Sequence, residues 1–590
     1  MFRQVTLGDV DFVTGDYLAE MNIAEHAEGL ATGNHPGYDP YAFDGLELSI
    51  DAISKAGVKV ILNAGALNPK GLAEEVAGLV RDRGYTLKVA YVSGDNLLEE
   101  VRNGLATGSL TAHLDSDNKD IRLDDRALDL LDTVNKPVVS ANAYLGARAI
   151  VKGLQEGADI IICGRVADAS PVIGAAWYWH SWIDTDYDRL AGALVAGHLI
   201  ECSAYVTGSN FSGFTEFDLD NFIDLPFGIA EVDEDGSTII TKHLNTKGVV
   251  NVDVVKCQFL YELQGNIYLN SDVKANLNNI VIEAVGEDRV KLSGVTGAPP
   301  PTTTKLAIFY RGGYEGQILL NATGYGTKEK WDLFERQIRF GLQKSTHGKD
   351  LQFLEFQRIG TPRSNPTNQL ESTTYCRVFA QGTEQSILAI LATMREYTMQ
   401  HFSGFHLSRD MRTATPRPFH AFYPGVYPQS ALNEMVHLLA PDGEVVNSIP
   451  AGHPPKFEAL ENRENYDTRY PIDIKSLGET RLVKFGDIAL ARSGDKGANI
   501  NFGAFVRTAG QWDWFRTYMT RDAMRLLLGE DDAEYHIERV EFPNLWAVHF
   551  VIYGILGRGV SSSTKLDSLG KGFADYIRDK LIEVPVQFLD

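Results

Sequence analysis

Residues 157–170 read GADIIICGRVADAS, an apolar run that stops at a glycine and is followed by an arginine and an aspartate. Ile160, Ile161, Ile162 and Cys163 show no polar alternation, so both faces of the segment are expected to be covered, as in a parallel strand packed between helices. Open parallel sheets and barrels alike gather their binding groups at the carboxyl ends of strands, which puts Arg165 and Asp168 where ligands collect. The same spacing also allows a plain Arg–Asp brace at a helix start.

Outward from this strand the same pattern recurs. Strands are predicted over 10–13, 58–62, 87–92 and 137–140, each running into a polar turn, with helices over 17–27, to about 83 and to about 156. Short apolar strands alternating with helices indicate an α/β fold with a mainly parallel N-terminal sheet, open and doubly wound, with a barrel as the alternative. The strand ends share a polar vocabulary: Asp16, Asn63, Asn68, Asp95, Asn142, Arg165 and Asp168. Each also suits a turn or a helix cap, but on one rim several of them would face a single ligand.

Beyond a helix over 188–202 the chain changes character. Residues 228–262 and 289–324 read as hairpins, with Asp233-Glu234-Asp235-Gly236 as a turn. Three prolines at 299–301 lead stiffly into a strand over 305–310. Residues 350–400 read as α/β again, 409–428 as irregular but ordered, and 441–470 as linker. These signals divide the chain into an α/β domain over 1–440 with a β-rich section at about 228–330, a linker over 441–480, and a ferredoxin-like α+β sandwich over 481–590. In the sandwich, strands are expected over 483–490, 500–506, 536–542 and 547–553, and helices over 512–528 and 569–581. Arg492, Ser493, Gly494, Asp495, Lys496, Gly497, Ala498 and Asn499 form a polar loop between its first two strands. Such a loop can hold an anion through side chains and backbone amides, and a tight hairpin turn is the plainer alternative.

Composition narrows the partners. A formal charge of −23, with no basic run longer than scattered pairs, argues against nucleic acid. No apolar run approaches the roughly 18–20 residues of a membrane span, and no signal-peptide core opens the chain, so a cytoplasmic protein away from membranes is expected. Cys163, Cys202, Cys257 and Cys376 lack paired spacing, which predicts reduced thiols and no metal site. Dinucleotide, P-loop, nucleophile-elbow and HExxH motifs are missing in usable context, so no cofactor is evident. His198 and Glu201 lie three apart on the 188–202 helix, a spacing that serves acid/base chemistry, two metal ligands, or mere helix support. Arg311 in YRGGY suits a carboxylate or phosphate clamp, although a glycine turn explains the glycines equally.

Taken together, residues 14–20 (TGDYLAE), 63–69 (NAGALNP), 157–170, 197–201 (GHLIE) with Thr207-Gly208, 310–314 (YRGGY) and 491–497 (ARSGDKG) resemble the acyclic terpene utilisation AtuA family. The resemblance covers nearly the whole chain and implies an N-terminal AtuA domain followed by a ferredoxin-like domain. It also implies work on acyclic terpenoids, whose breakdown proceeds through branched acyl-CoA thioesters. The expected function is proton transfer next to the carbonyl of a branched or terpenoid acyl substrate carried as a CoA thioester, a lyase or hydratase type of reaction. His198, Glu201, Asp168 and Asp16 are the catalytic candidates. Arg165 and Arg311 would hold carboxylate or thioester oxygen, Arg492 and Lys496 an anionic portion, with Asn63, Asn68, Ser493, Asp495 and Asn499 completing the binding set. The alternatives are a non-catalytic subunit of an acyl-CoA system and a biosynthetic enzyme on the same scaffold. A homo-oligomer is expected from chain size and exposed edge strands. Two departures are noted: relatives carry an extra strand and glycine-rich loop before the segment equivalent to 10–20, which implies an altered site or a shortened gene model, and Ala66 stands where they often have a second glycine.

Overall fold

A computed structural model describes residues 1–408 and 410–589, save the side chain of Met21. The chain divides into two compact units, one of residues 1–127, 138–309 and 422–590, the other of residues 128–137 and 310–421.

The first unit is built around Ile160–Ile162, whose three side chains are fully buried. This strand pairs in parallel with Lys59–Leu62 on one side and Val89–Ser93 on the other, through Val60↔Ile160 and Val89↔Ile160. Phe12–Gly15 adds a fourth parallel strand beside Lys59–Leu62. Ile160 and Ile162 face a core supplied by the helices Pro40–Ala56 and Pro69–Asp82, including Leu46, Ile50, Leu72 and Val76. Ile161 faces the opposite way, onto the helix Arg148–Gln155, where a Cβ on Gly153 would come within 3.0 Å of Ile161 Cδ1. Covering both faces is what an unbroken isoleucine run requires, and each buried side chain contributes roughly 1.5–3 kcal/mol of transfer free energy. The helices begin as their sequences dictate: Asp39 caps Pro40–Ala56 by accepting from Tyr41 N (2.9 Å), and Asn68 caps Pro69–Asp82 by accepting from Gly71 N (3.0 Å).

The sheet is open. Met435–Leu439 joins antiparallel to Val89–Ser93, and Val445–Pro450 forms the edge beyond it, so there is no closed barrel. Val445–Pro450 lies within the segment expected to be linker; His437 Nδ1 bonds Ser448 Oγ (2.7 Å) across this pair. The following residues carry little regular structure but are strapped down, Tyr466 N donating to Arg539 O (3.0 Å) and Arg521 pairing with Asp467 (3.0 Å). Val138–Ala143, predicted for the parallel sheet, pairs instead with Thr303–Thr323.

The β-rich section holds a four-stranded and a three-stranded antiparallel sheet packed on the helix Tyr187–Ile200. The turn at 233–236 forms as expected, Asp233 N donating to Ser237 O (2.8 Å). Val252–Leu260, within the segment expected to form hairpins, is a helix: Asn251 accepts from Val254 N (2.9 Å), and burial outweighs the strand preference of its valines.

The C-terminal part carries a four-stranded antiparallel sheet, spatially Leu490–Lys496, Asn499–Phe505, Ala547–Ile552, Ile537–Phe542, covered by Ala509–Tyr518, Arg521–Leu528 and Phe573–Arg578. Thr520 starts a second helix by accepting from Ala523 N (3.1 Å), which splits the single helix expected over 512–528. Residues 492–496 are not a loop. They form a buried strand, Lys496 pairs with Asn499, and Gly497-Ala498 makes a two-residue turn with Gly497 at φ +59°. The polar side chains that suggested a loop find internal partners, so the backbone is free to pair.

The second unit packs the helices Thr327–Lys344 and Glu384–Glu396 on strands Leu351–Ile359 and Thr373–Gly382 and on residues 310–323, around Ile318, Leu320, Trp331, Phe334 and Val378. The segment read as irregular from 409 contains the strand Arg417–Pro428, while Arg409 lies outside the described residues. Among the described residues no helix is long and apolar enough to cross a membrane, and all four cysteines are free thiols.

Glu434, just before Met435–Leu439, accepts from Ala149 N (3.0 Å). Burial, then the Asp272 carboxylate, pushes its carboxyl up to about 8. A carboxyl raised in the folded state binds a proton that the unfolded chain has released, so its contribution is full below the ordinary carboxylate range and is lost as pH rises to about 8, at up to about 1.4 kcal/mol per pH unit. Glu434→Gln keeps the acceptor and removes the charge. Its melting temperature is expected to vary less between pH 5 and 8 than the parent's and to exceed it at pH 8.5, measured by differential scanning calorimetry.

Candidate active site

The four parallel strands end on one rim. Asp16 follows Phe12–Gly15, Asn63 follows Lys59–Leu62, Asp95 follows Val89–Ser93, and Arg165 and Asp168 follow Ile160–Ile162. Gly164 lets this crossing close up, since a Cβ there would meet Asp95 Oδ1 at 2.7 Å. Asp95 accepts from Arg165 N (3.0 Å) and Asn142 Nδ2 (2.8 Å) and pins the turn.

Arg165 is 1% exposed. It donates from Nε to Val166 O (2.9 Å), from Nη1 to Leu18 O (2.7 Å) and from Nη2 to Asp168 Oδ1 (2.5 Å), with its guanidinium over the Tyr144 ring at 4.4 Å. It therefore clamps the rim and aims Asp168. Asn63 donates to Asp16 Oδ1 and accepts from Tyr17 N (2.7 Å). Burial, then the Asp168 charge, pushes the Asp16 carboxyl up to about 7 against the opposing pull of Arg165 and Asn63.

Lys496 reaches the same rim from the C-terminal hairpin. Its Nζ lies 2.5 Å from Glu262 Oε2 and 3.8 Å from Asp168 Oδ2. Glu262 feels burial, but Lys496 and Lys571 more than offset it and hold the carboxyl down at about 2. Lys571 Nζ is 3.8 Å from Glu262 and 3.7 Å from Asp495, and it donates to Tyr261 Oη. Burial, then Glu262, pushes Asp495 up to about 7.

His198 and Glu201 meet on Tyr187–Ile200 and its C-cap, Nδ1 standing 3.8 Å from Glu201 Oε1. Phe259 O, 3.0 Å from His198 Nε2, can only accept, so Nε2 carries the hydrogen and Nδ1 presents a lone pair. Burial lowers His198 to about 4, and burial, then the Asp168 charge, raises Glu201 well above the carboxylate range, so the imidazole is neutral and Glu201 holds its proton more tightly than a free carboxyl.

A cavity of about 670 Å³ opens onto three of these carboxyl groups, Asp16, Asp168 and Glu201. Much of its wall is apolar, with Phe12, Leu62, Val172, Trp179, Phe227 and Ile229. The lining also includes Asp9, Asp11 and Glu231 and contains no lysine or arginine.

The other expected site residues are not part of the cavity lining. Asn68 caps its helix and donates to Pro36 O (2.9 Å). Arg492 lies between the rings of Tyr205 and Tyr261, at 4.7 and 4.5 Å, and donates to Asn210 O (3.2 Å). Ser493 Oγ donates to Gly570 O (2.7 Å) and accepts from Ala574 N (2.8 Å). Asn499 donates to Asp115 (3.3 Å) and accepts from Gly554 N (3.0 Å). Arg311 belongs to the second unit, where its backbone N donates to Pro137 O (3.0 Å).

Sequence reasoning missed Glu262, Lys571 and Tyr144. Glu262 had a usable signal, a single acid inside FLYEL. Its φ of +59° is unusual for a non-glycine residue and is held by Asn501 Oδ1, which accepts its N–H at 2.9 Å. Ala66 adopts φ +45°, a conformation that favours glycine.

A mainly parallel α/β body whose strand-end site is completed by a terminal ferredoxin-like hairpin defines the class of protein. The chain belongs to the acyclic terpene utilisation family AtuA, whose model matches residues 1–438, and the AtuA ferredoxin-like domain matches residues 483–583. Membership fits a role in terpenoid metabolism. No curated protein and no solved structure matches the chain.

Lys496→Met removes the cation between Glu262 and Asp168. The expected loss is about 3 kcal/mol in chemical denaturation, because a buried acid left short of its partner costs more than the pair contributes.

Proposed function

We propose that the protein catalyses proton transfer next to the carbonyl of a branched acyclic acyl thioester. The cavity carries this reading, since it joins apolar walls suited to a branched hydrocarbon chain with the carboxyl groups of Asp16, Asp168 and Glu201. In this scheme Asp16, oriented by Asn63 and poised near neutrality, takes the α-proton. Glu201, held as the acid beside the neutral His198, donates a hydrogen bond to the carbonyl oxygen as enolate character develops. Asp168 stays paired with Arg165 and Lys496, and its charge helps both reacting carboxyls hold their protons. Because the lining has six acidic side chains and no lysine or arginine, the nucleotide phosphates of a CoA carrier remain outside the cavity.

The test is deuterium uptake at the α-carbon, read by mass spectrometry, for a panel of branched acyl-CoAs in D2O. Asp16→Asn and Glu201→Gln are each expected to slow exchange by roughly 10²–10⁴-fold. Stabilisation by a panel member without any exchange would replace this reading with a non-catalytic binding subunit, and absence of both exchange and binding would end it. Acyl-pantetheine thioesters are expected to exchange with kcat/KM within about tenfold of the CoA forms, since the pantetheine arm alone enters the site.

A further inference from the structure

Asp168, Glu201 and Glu262 each present an oxygen within 4.8 Å of the other two. Points on a coordination sphere of about 2.1–2.4 Å radius are separated by at most about 4.2–4.8 Å, so the three oxygens are nearly close enough to share one ion. Carboxylates gathered this way are not a site by themselves, but a second, unpartnered group faces one of them, Glu201. His198 is buried, 1% exposed at its side chain, and its Nδ1 makes no hydrogen bond while facing Glu201 Oε1 at 3.8 Å. With Nε2–H given to Phe259 O, the free lone pair is on Nδ1, the arrangement of a metal-binding imidazole held from behind by a backbone carbonyl. Glu201 Oε2, equally buried, also has no hydrogen-bond partner. The approach favours positive charge, since the cavity that exposes Asp168 and Glu201 is lined by acids without lysine or arginine.

We propose that Asp168, Glu201 and Glu262 bind one divalent cation, that His198 Nδ1 closes onto it from beside Glu201 as a fourth ligand, and that Lys496 Nζ holds the ion's place when it is away. Lys496 is suited to both states, because its ammonium lies against Glu262 and Asp168 while its long stem is 27% exposed and can swing aside. Three carboxylate oxygens and one imidazole nitrogen suit Mn²⁺, Fe²⁺ or Zn²⁺. The inference rests on the proposed function in taking this end of the cavity as the reactive end. With the ion bound, polarisation of the carbonyl passes from the Glu201 acid to the metal, and Asp16, outside the ligand set, still takes the proton.

The full chain, stripped with EDTA, is titrated with MnCl2 and followed by electron paramagnetic resonance. One Mn²⁺ per chain is expected, with affinity lowered roughly tenfold or more in both Glu201→Gln and Glu262→Gln. Mn²⁺ is further expected to raise the melting temperature of Lys496→Met more than that of the parent, since the ion supplies the positive charge that variant lacks. The proposal is overturned if the parent binds neither Mn²⁺ nor Zn²⁺ at millimolar concentration, if both glutamine variants bind as tightly as the parent, or if Mn²⁺ leaves Lys496→Met unstabilised. The titration contains no acyl substrate, so a failure of the exchange assay does not touch it, and a failure to bind metal leaves proton transfer by Asp16 and Glu201 standing.

Discussion

Lys496, set between Glu262 and Asp168, is the interaction on which the rest of the site depends. Asp16, Asp168, Glu201 and Glu262 crowd a buried region, and two like charges about 4 Å apart repel by about 4 kcal/mol at an effective dielectric of about 20. The ammonium offsets part of that repulsion, and it arrives from a different part of the chain. A two-residue turn at Gly497-Ala498 ends the strand at the residue whose side chain reaches the rim. The C-terminal sandwich is thereby a structural component of the N-terminal site.

That arrangement sorts the acids into two kinds. Glu262 and Asp168 lie against cations, whereas Asp16 and Glu201 are buried with less compensation and hold protons more tightly. Groups of one chemical type driven apart by environment are what acid/base work at neutral pH requires. His198 falls on the other side of the same physics: burial keeps it neutral against the opposing pull of the Phe259 carbonyl, and with Nε2–H given to that carbonyl it presents a lone pair to Glu201.

The apolar wall of the cavity agrees with a family concerned with acyclic terpenoids, and the acids along it bear on which part of a substrate can enter. Many polar residues near the rim do not reach the cavity. Arg165 looked like a ligand for carboxylate, yet its donors go to Val166 O, Leu18 O and Asp168. Asn68, Ser493 and Asn499 likewise satisfy backbone or neighbouring groups. A buried polar side chain is costly without partners, so framework duty takes many of the residues that sequence alone would assign to a ligand.

The isoleucine run at 160–162 was legible because a strand covered on both faces needs continuous apolar residues, and the open parallel sheet, the polar strand ends and the family all follow from local sequence of that kind. The hairpin turn at 233–236 and the cap at Asn68 were equally local. Burial overrode such signals elsewhere: Val252–Leu260 became helix, and residues 492–496 became a paired strand once their side chains found internal partners. The membership of the site was decided only in three dimensions. Sequence by itself determined the parallel strands beside Ile160–Ile162 and the polar residues that end them, because those depend on neighbours within a few positions. Tertiary structure decided that Glu262, Lys496 and Asp168 meet, because charges 234 and 328 residues apart from Lys496 are brought together by the packing of a C-terminal hairpin on a distant rim, which no local pattern encodes.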